Sequence, residues 1–387
     1  MEFERASEQV MLAEAVGAVA AEFGHPYFAK CTAEGTRPDA LWEALGTQGF
    51  LGVHLPVAHG GGGAGIAELA IVGEEVAAQG CPLLLTLVSP AICAELIARY
   101  GTESQQSTWL PSLGAGAKMA FAITEPDAGS NSHNLSTVAT RDGGEWRISG
   151  AKTYISGVDE ADQILLVTRT STDPDTGRGR LTLFIVDSDA PGLTRQLIPT
   201  ETKIPEKQFQ LFFDGVVVAD DRRIGDVDDG LRVVFDGLNP ERIMSAALLN
   251  GVSRYVLDIA CRYASERVVW GTTPVGAHQG VAHPLATAKI ELELARLMND
   301  KAAWLHDHSE DRRAAGEAAN MAKFAAAEAA AHCLDASIQA MGGNGMASDY
   351  GVADLWGIVR LLKIAPVSRE MILNFISTAT LGLPRSY

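Results

Sequence analysis

Basic residues are scarce in this chain of 387 residues: 31 Lys and Arg stand against 48 Asp and Glu, a formal charge of −17. That balance excludes the basic footprint that nucleic-acid binding needs; its main expected effect is solubility. The five cysteines (Cys31, Cys81, Cys93, Cys261 and Cys333) are scattered, odd in number and without a Cys-x-x-Cys pair. They read as reduced, buried thiols of a cytoplasmic protein, not as a disulfide framework. No His-Glu-x-x-His motif and no clustered His/Cys spacing points to a metal. No apolar run reaches the length of a membrane span. Met1-Glu2-Phe3-Glu4-Arg5 lacks the basic-then-apolar pattern of a signal peptide. The glycine-rich run His59-Gly60-Gly61-Gly62-Gly63-Ala64-Gly65 lacks the Gly-Lys-Ser/Thr ending of a phosphate-binding loop, so it reads as a flexible turn. No linker, internal repeat or low-complexity tail is visible.

A hydrophobic content of 47% with 20% charged residues is ordinary for a soluble globular protein. The length suggests two or three domains or subdomains. The hydrophobic period changes along the chain, giving an α+β fold in three parts. Residues 1–118 read mostly as helix, with Leu41, Trp42 and Leu45, and then Ile92, Leu96, Ile97 and Tyr100, at helical spacing. Ser89-Pro90 reads as the start of the second of these helices, a cap hydroxyl followed by a proline. Residues 119–225 read as strands: Trp146-Arg147-Ile148, Ile164–Val167, Leu181–Val186 and Phe209–Phe213. Asp142-Gly143-Gly144 and Asp173-Pro174-Asp175-Thr176-Gly177 punctuate them, and the expected form is a small β-barrel or sandwich. Residues 226–387 return to helix. Leu248, Val252, Tyr255, Ile259 and Tyr263 keep a 3.6-residue period, and Leu285–His306 and Ala314–Met341 read as two long alanine-rich helices of a bundle.

Two segments carry chemistry. Phe121-Ala122-Ile123-Thr124-Glu125-Pro126-Asp127-Ala128-Gly129-Ser130-Asn131 is a strand-like run ending in a turn of small polar residues. Gly150-Ala151-Lys152-Thr153-Tyr154-Ile155-Ser156-Gly157 repeats that design about twenty residues on. Turns of this kind present backbone N–H groups and hydroxyls that hold phosphate and the polar atoms of a flavin. The pair at this spacing resembles the flavin-binding region of the acyl-CoA dehydrogenase family. The order of helices, β domain and C-terminal four-helix bundle is similar to that family's architecture.

The resemblance implies FAD as cofactor, with contacts from Phe121, Ile123, Thr124, Gly129 and Ser130 in the first segment. Asn131 stands where the family commonly has Asp. In the second segment Tyr154 and Ser156 take the aromatic and hydroxyl positions beside the isoalloxazine. Glu266-Arg267-Val268-Val269-Trp270-Gly271 resembles the family's Arg-x-x-Phe-Gly element, with Trp270 for Phe. Gln279 follows, displaced by one residue. Gln339-Ala340-Met341-Gly342-Gly343-Asn344-Gly345 matches Gln-x-x-Gly-Gly-x-Gly, where Gly342 and Gly343 allow close backbone approach to the dinucleotide. In the family these last two elements serve the FAD of a neighbouring subunit. The resemblance therefore implies a homo-oligomer, a tetramer or dimer, with a hetero-oligomer as the alternative.

The reaction so implied is α,β-desaturation of an acyl-CoA thioester, electrons leaving through an electron-transfer flavoprotein. It needs a nearby carboxylate of raised pKa to take the α-proton and donors to polarise the thioester carbonyl. Many members place the base near the C-terminus in Ile-Tyr-Glu-Gly-Thr-x-Glu. Here Ile364-Ala365-Pro366-Val367-Ser368-Arg369-Glu370 puts Ala365 at the Tyr and Pro366 at the Glu, and Gly357-Ile358 replaces the preceding Arg-Asp. Ser368 and Glu370 are carried over as cofactor contacts. A second group, including isovaleryl-CoA and long-chain acyl-CoA dehydrogenases, carries the base within Leu-x-x-Glu-Arg. Leu238-Asn239-Pro240-Glu241-Arg242 matches, so Glu241 is the expected base. A local reading competes: Asn239 caps a helix, Pro240 opens it, and Glu241 favours its dipole. Ser130, Asn239, Arg242 and Ala365 are expected along the acyl and pantetheine path. Pro366 has no N–H, so a neighbour such as Val367 has to polarise the carbonyl. Ala365 in place of Tyr is expected to open room for a branched or bulky acyl group. The alternatives are a half-active subunit of a hetero-oligomer and a flavin oxidase or monooxygenase on the same fold.

Overall fold

The structure, a computed structural model, describes residues 5–385. Seven helices come first: α1 (Ser7–Ala21), α2 (Gly24–Glu34), α3 (Asp39–Thr47), α4 (Ile66–Ala78), α5 (Leu85–Val88), α6 (Glu95–Tyr100) and α7 (Glu103–Gly114). Eight strands follow: β1 (Met119–Ala122), β2 (Val138–Asp142), β3 (Glu145–Ser156), β4 (Gln163–Thr172), β5 (Gly179–Asp187), β6 (Leu193–Ile198), β7 (Gln208–Ala219) and β8 (Arg223–Ile224). The remainder is helical: α8 (Gly230–Glu266), α9 (Gln279–His308), α10 (Arg312–Met341), α11 (Trp356–Ile364) and α12 (Arg369–Phe375). The bundle is therefore three long antiparallel helices closed by shorter pieces.

The strands form one sheet in the order β6-β7-β3-β2-β4-β5-β8, with β1 added in parallel to β4. A single parallel pair, Val138 with Arg169, joins its halves. The halves pack face to face around Trp146, Ile148, Leu211 and Phe213 from one side and Ile164, Leu166, Phe184 and Val186 from the other. This is a sandwich-like sheet, one of the two expected forms. The opposite faces of β4 and β5, carrying Leu165, Val167, Leu181, Leu183 and Ile185, bury against Ile92, Leu96 and the first turns of α8. Strands covered on both faces read as continuous apolar runs, whereas β7 alternates: Phe213 is buried and Phe212 is exposed. Each fully buried aliphatic side chain adds about 1.5–3 kcal/mol.

Two helix starts differ from the sequence expectation. The helix around Ile92 begins at Leu85, not at Ser89. The Glu206 carboxylate, arriving from the loop before β7, accepts the N–H of Leu84 at 2.7 Å and of Leu85 at 3.4 Å, so the cap comes from another element. Ser89 Oγ instead accepts the N–H of Met119, and the segment Ser89–Ala94 is a π-helical insert. Likewise Asn239-Pro240 opens nothing: α8 starts at Gly230 and runs through Pro240. Burial of Val233 and Val234 against β5 holds the turns that the proline would otherwise break. Of the five free cysteines four are buried, but Cys261 is exposed on α8, contrary to expectation.

Small residues let the bundle close. α10 buries Ala315, Ala318, Ala319, Ala322, Ala326 and Ala330, and into this apolar face it also buries one cation, Lys323, 1% exposed. At Gly357 a Cβ would lie 2.9 Å from Thr202 Cα, so α11 rests directly on that loop. Among the described residues no helix is long and apolar enough to cross a membrane.

Candidate active site

The two sequence segments meet as one structure. β1 ends at Ala122, and Glu125 and Ala128 exchange both backbone hydrogen bonds at 3.1 Å, closing the turn. Thr153 N–H donates to Thr124 O at 2.9 Å. Lys152 Nζ donates to Ile123 O at 2.9 Å and to Glu125 Oε1 at 2.8 Å. Glu125 also accepts from Ser136 N and Oγ and from Thr137 N. Burial pushes the Glu125 carboxyl up, but Lys152 and the Ser136 donors outweigh it and hold the group down at about 2. Sequence reasoning missed this pair, although both residues lie inside the quoted motifs.

Phe121 is a core residue: it pairs with Leu165 and packs into the apolar cluster under β1. Ile123 and Thr124 are partly buried, and Gly129 and Ser130 are exposed at the turn. Tyr154 has φ of 56° and a side chain 63% exposed. It sits where the β3–β7 register slips between Lys152 and Ile155. A bulge plus a left-handed tyrosine is an uncommon backbone state, of the kind that re-aims a side chain at a functional site. Ser156 Oγ donates to Gln208 Oε1 at 3.0 Å, and the buried Gln208 Nε2 has no partner.

Glu241 lies on α8, whose first turns pack against β5. Cys93, on the π-helical insert, contacts the carbonyls of Met119 and Ala120 on β1 through its thiol. Burial and the Glu241 charge together push that thiol well up. Glu241 Oε2 is enclosed and has no hydrogen-bond partner. Burial raises the group to about 8, against the pull of Arg242 and Lys323. Arg242 is buried, its Nη1 donating to Asn239 Oδ1 at 2.8 Å and its Nε unpartnered. Asn239 faces Gly316 of α10, where a Cβ would lie 3.5 Å from its Oδ1.

Lys323 connects this group to the C-terminal segment, a role no sequence signal announced beyond a lone cation on an alanine face. Its Nζ donates to Val367 O at 2.7 Å and Lys363 O at 3.2 Å. Burial, with the repulsion of Arg242, lowers it to about 8. Glu328 takes Lys363 at 2.8 Å and Arg369 at 2.9 Å, bracketing the segment that holds the partly buried Ala365 and Pro366. Ser368 accepts Met371 N–H and so caps α12, while Glu370 is largely exposed.

The remaining sequence-predicted residues gather elsewhere. Arg267, Trp270, Gln279, Gln339, Gly342 and Gly343 are all exposed at the far end of the bundle. Asn344 Nδ2 donates to Tyr263 OH at 3.0 Å and ties the glycine turn to the end of α8. From Glu241 to Arg267 the chain climbs 26 residues of α8, roughly 39 Å at helical rise. One chain therefore does not bring both groups around one ligand.

The residues fit a flavin dinucleotide. The orphaned Gln208 amide beside Ser156, the exposed Tyr154 ring and the enclosed Glu241 oxygen want polar and planar partners. At Gly129, Gly342 and Gly343 the space a Cβ would take is open.

Family profiles agree with this geometry. The acyl-CoA dehydrogenase N-terminal domain matches residues 6–117, the middle domain residues 120–216 and the C-terminal domain residues 228–381. The chain is 50% identical over 386 residues to acyl-CoA dehydrogenase FadE12 of Mycobacterium tuberculosis, covering 100% of this chain and 99% of the relative. It is 34% identical over 314 residues to glutaryl-CoA dehydrogenase of Desulfococcus multivorans, covering 80% of this chain and 79% of that one. A solved glutaryl-coenzyme A dehydrogenase, in complex with glutaryl-CoA, superposes with a TM-score of 0.93 at 30% identity, covering 99% of this chain and 98% of that chain. The chain belongs to the acyl-CoA dehydrogenase family.

Proposed function

We propose that this chain is an FAD-dependent acyl-CoA dehydrogenase in which Glu241 takes the α-proton of an acyl-CoA thioester to give the trans-2-enoyl-CoA. The observation that carries the reading is the enclosed, unpartnered Oε2 of Glu241, on a carboxyl raised to about 8 with Arg242 and Lys323 as its charged neighbours. A base needs a pKa near the working pH and an oxygen free to accept a proton. FAD, when bound, supplies the acceptor for the β-hydride at N5.

The chain's residues do the rest. Thr124, Gly129 and Ser130 present the polar turn, stapled by Lys152 and Glu125. Tyr154 offers its ring face and Ser156 its hydroxyl. Asn239 holds the Arg242 guanidinium beside the base. Lys323 holds the carbonyls of Lys363 and Val367, fixing the segment from which a backbone N–H, that of Val367, polarises the thioester carbonyl. Ala365 leaves room beside the acyl group, which favours branched or bulky acyl chains.

Arg267, Trp270, Gln279, Gln339, Gly342 and Gly343 serve the FAD of a second copy. The separation of Arg267 from Glu241 along α8 supports this, as does an exposed apolar stripe on α9, Ile290, Leu294, Leu297 and Trp304. The assembly is a homo-oligomer, a tetramer or dimer, and an electron-transfer flavoprotein takes the electrons. Functional units at 1–118, 119–225 and 226–387 and a cytoplasmic setting, consistent with the free cysteines, belong to the same reading. The test is anaerobic addition of acyl-CoA to the FAD-loaded protein. Bleaching of the flavin supports the reading, and a yellow protein that no thioester bleaches favours a half-active subunit.

A further inference from the structure

We infer that Gln208 is a positioning residue that fixes the direction of the Ser156 hydroxyl proton and so sets the reduction potential of the bound flavin. The inference rests on the reading that Ser156 faces the polar edge of the isoalloxazine.

β3 ends at Ser156 and β7 begins at Gln208, and the two residues are register partners at that end of the sheet. Gly157 N–H donates to Lys207 O at 2.9 Å just beyond them, so the backbones are locked together. Ser156 Oγ donates to Gln208 Oε1 at 3.0 Å. Gln208 is 7% exposed, and its side-chain Nε2 is enclosed with no partner. The pair is therefore rigid and largely shielded from water, conditions under which one hydrogen bond acts strongly on its neighbour.

A serine hydroxyl has a single proton. Committed to Gln208, it leaves only lone pairs for whatever lies on its other side. The polar edge of an oxidised flavin offers acceptors, N5 and O4, and gains an N–H donor on two-electron reduction. An acceptor-only hydroxyl therefore favours the reduced ring over the oxidised one. Without Gln208 the hydroxyl proton is free to turn toward the oxidised ring, and the potential falls.

The test uses the full FAD-loaded chain. Midpoint potentials are measured by dye-coupled reduction for the wild type, Gln208→Met, Ser156→Ala and the double variant. Gln208→Met is expected to shift the potential negative, lowering the ratio of reduced to oxidised flavin at fixed potential about fivefold, the factor of one ordinary hydrogen bond. In the Ser156→Ala background the same substitution is expected to have a much smaller effect. A potential that stays put or rises in Gln208→Met overturns the inference, as does a shift equally large without Ser156. A wild type that takes up no FAD overturns the parent reading instead, and the inference with it. A merely structural glutamine would lower the melting temperature and leave the potential alone.

Discussion

Lys152 Nζ stands 2.8 Å from Glu125 Oε1, with side chains 0% and 2% exposed. The pair links the turn after β1 to the middle of β3. Two motifs that look separate in sequence are thus a single built object.

Breaking that pair leaves a buried charge alone. Lys152→Met is expected to destabilise the protein by about 3–5 kcal/mol, read from denaturant unfolding, and to release FAD on gel filtration. Lys152→Met with Glu125→Gln is expected to recover much of the stability. Because Glu125 is held down at about 2 from an ordinary 4.5, its contribution is full above the ordinary value. It is lost as pH falls from there through about 2. An acid-unfolding curve that Glu125→Gln leaves unchanged would contradict this.

Glu241 runs the other way. Its carboxyl is raised from 4.5 to about 8, so the folded state holds a proton that the unfolded chain loses first. Its stabilising contribution is present below about 4.5 and is lost as pH rises through about 8. The base works only when deprotonated, so kcat/KM is expected to climb about tenfold per pH unit below 8 and then level. A flat profile between pH 6 and 8 would remove Glu241 from the role.

The Lys323 charge works against the burial that raises Glu241, and its ammonium holds the C-terminal segment through Val367 O. Lys323→Met is expected to move the rising limb of the kcat/KM profile to higher pH, since the ammonium no longer favours the Glu241 carboxylate. Restoration of the original profile by Lys323→Arg would confirm that charge, and not packing alone, is responsible. A variant with lower activity but an unmoved profile would reduce Lys323 to a structural support.

Ala365 tests the acyl pocket. Ala365→Tyr is expected to lower kcat/KM for branched or ring-bearing acyl-CoAs at least tenfold while sparing short straight chains. Equal losses for both classes would contradict the proposal that this position makes room.

The alternation of helix and strand was legible because hydrophobic period reports local geometry: Ile164–Val167 and Leu248–Tyr263 lie in the expected elements. The starts at Ser89 and Asn239 were not, because their helices are fixed by distant partners. Glu206 caps one from 122 residues away, and β5 covers the first turns of the other. Glu241 was legible as a motif, but its isolation was not, since an orphaned oxygen is a property of packing. Gln208 and Lys323 carry no motif at all. Their roles arise where strand register and the alanine face of α10 bring them to Ser156 and Val367.

The most direct measurement is an anaerobic titration of FAD-loaded wild type and Glu241→Gln with straight, branched and ring-bearing acyl-CoAs, following the oxidised flavin absorbance. The account predicts that the wild type bleaches with at least one class, branched or bulky acyl groups foremost. It also predicts that Glu241→Gln keeps its FAD, binds the same thioester and stays yellow. Bleaching of Glu241→Gln at the wild-type rate would contradict the assignment of the base.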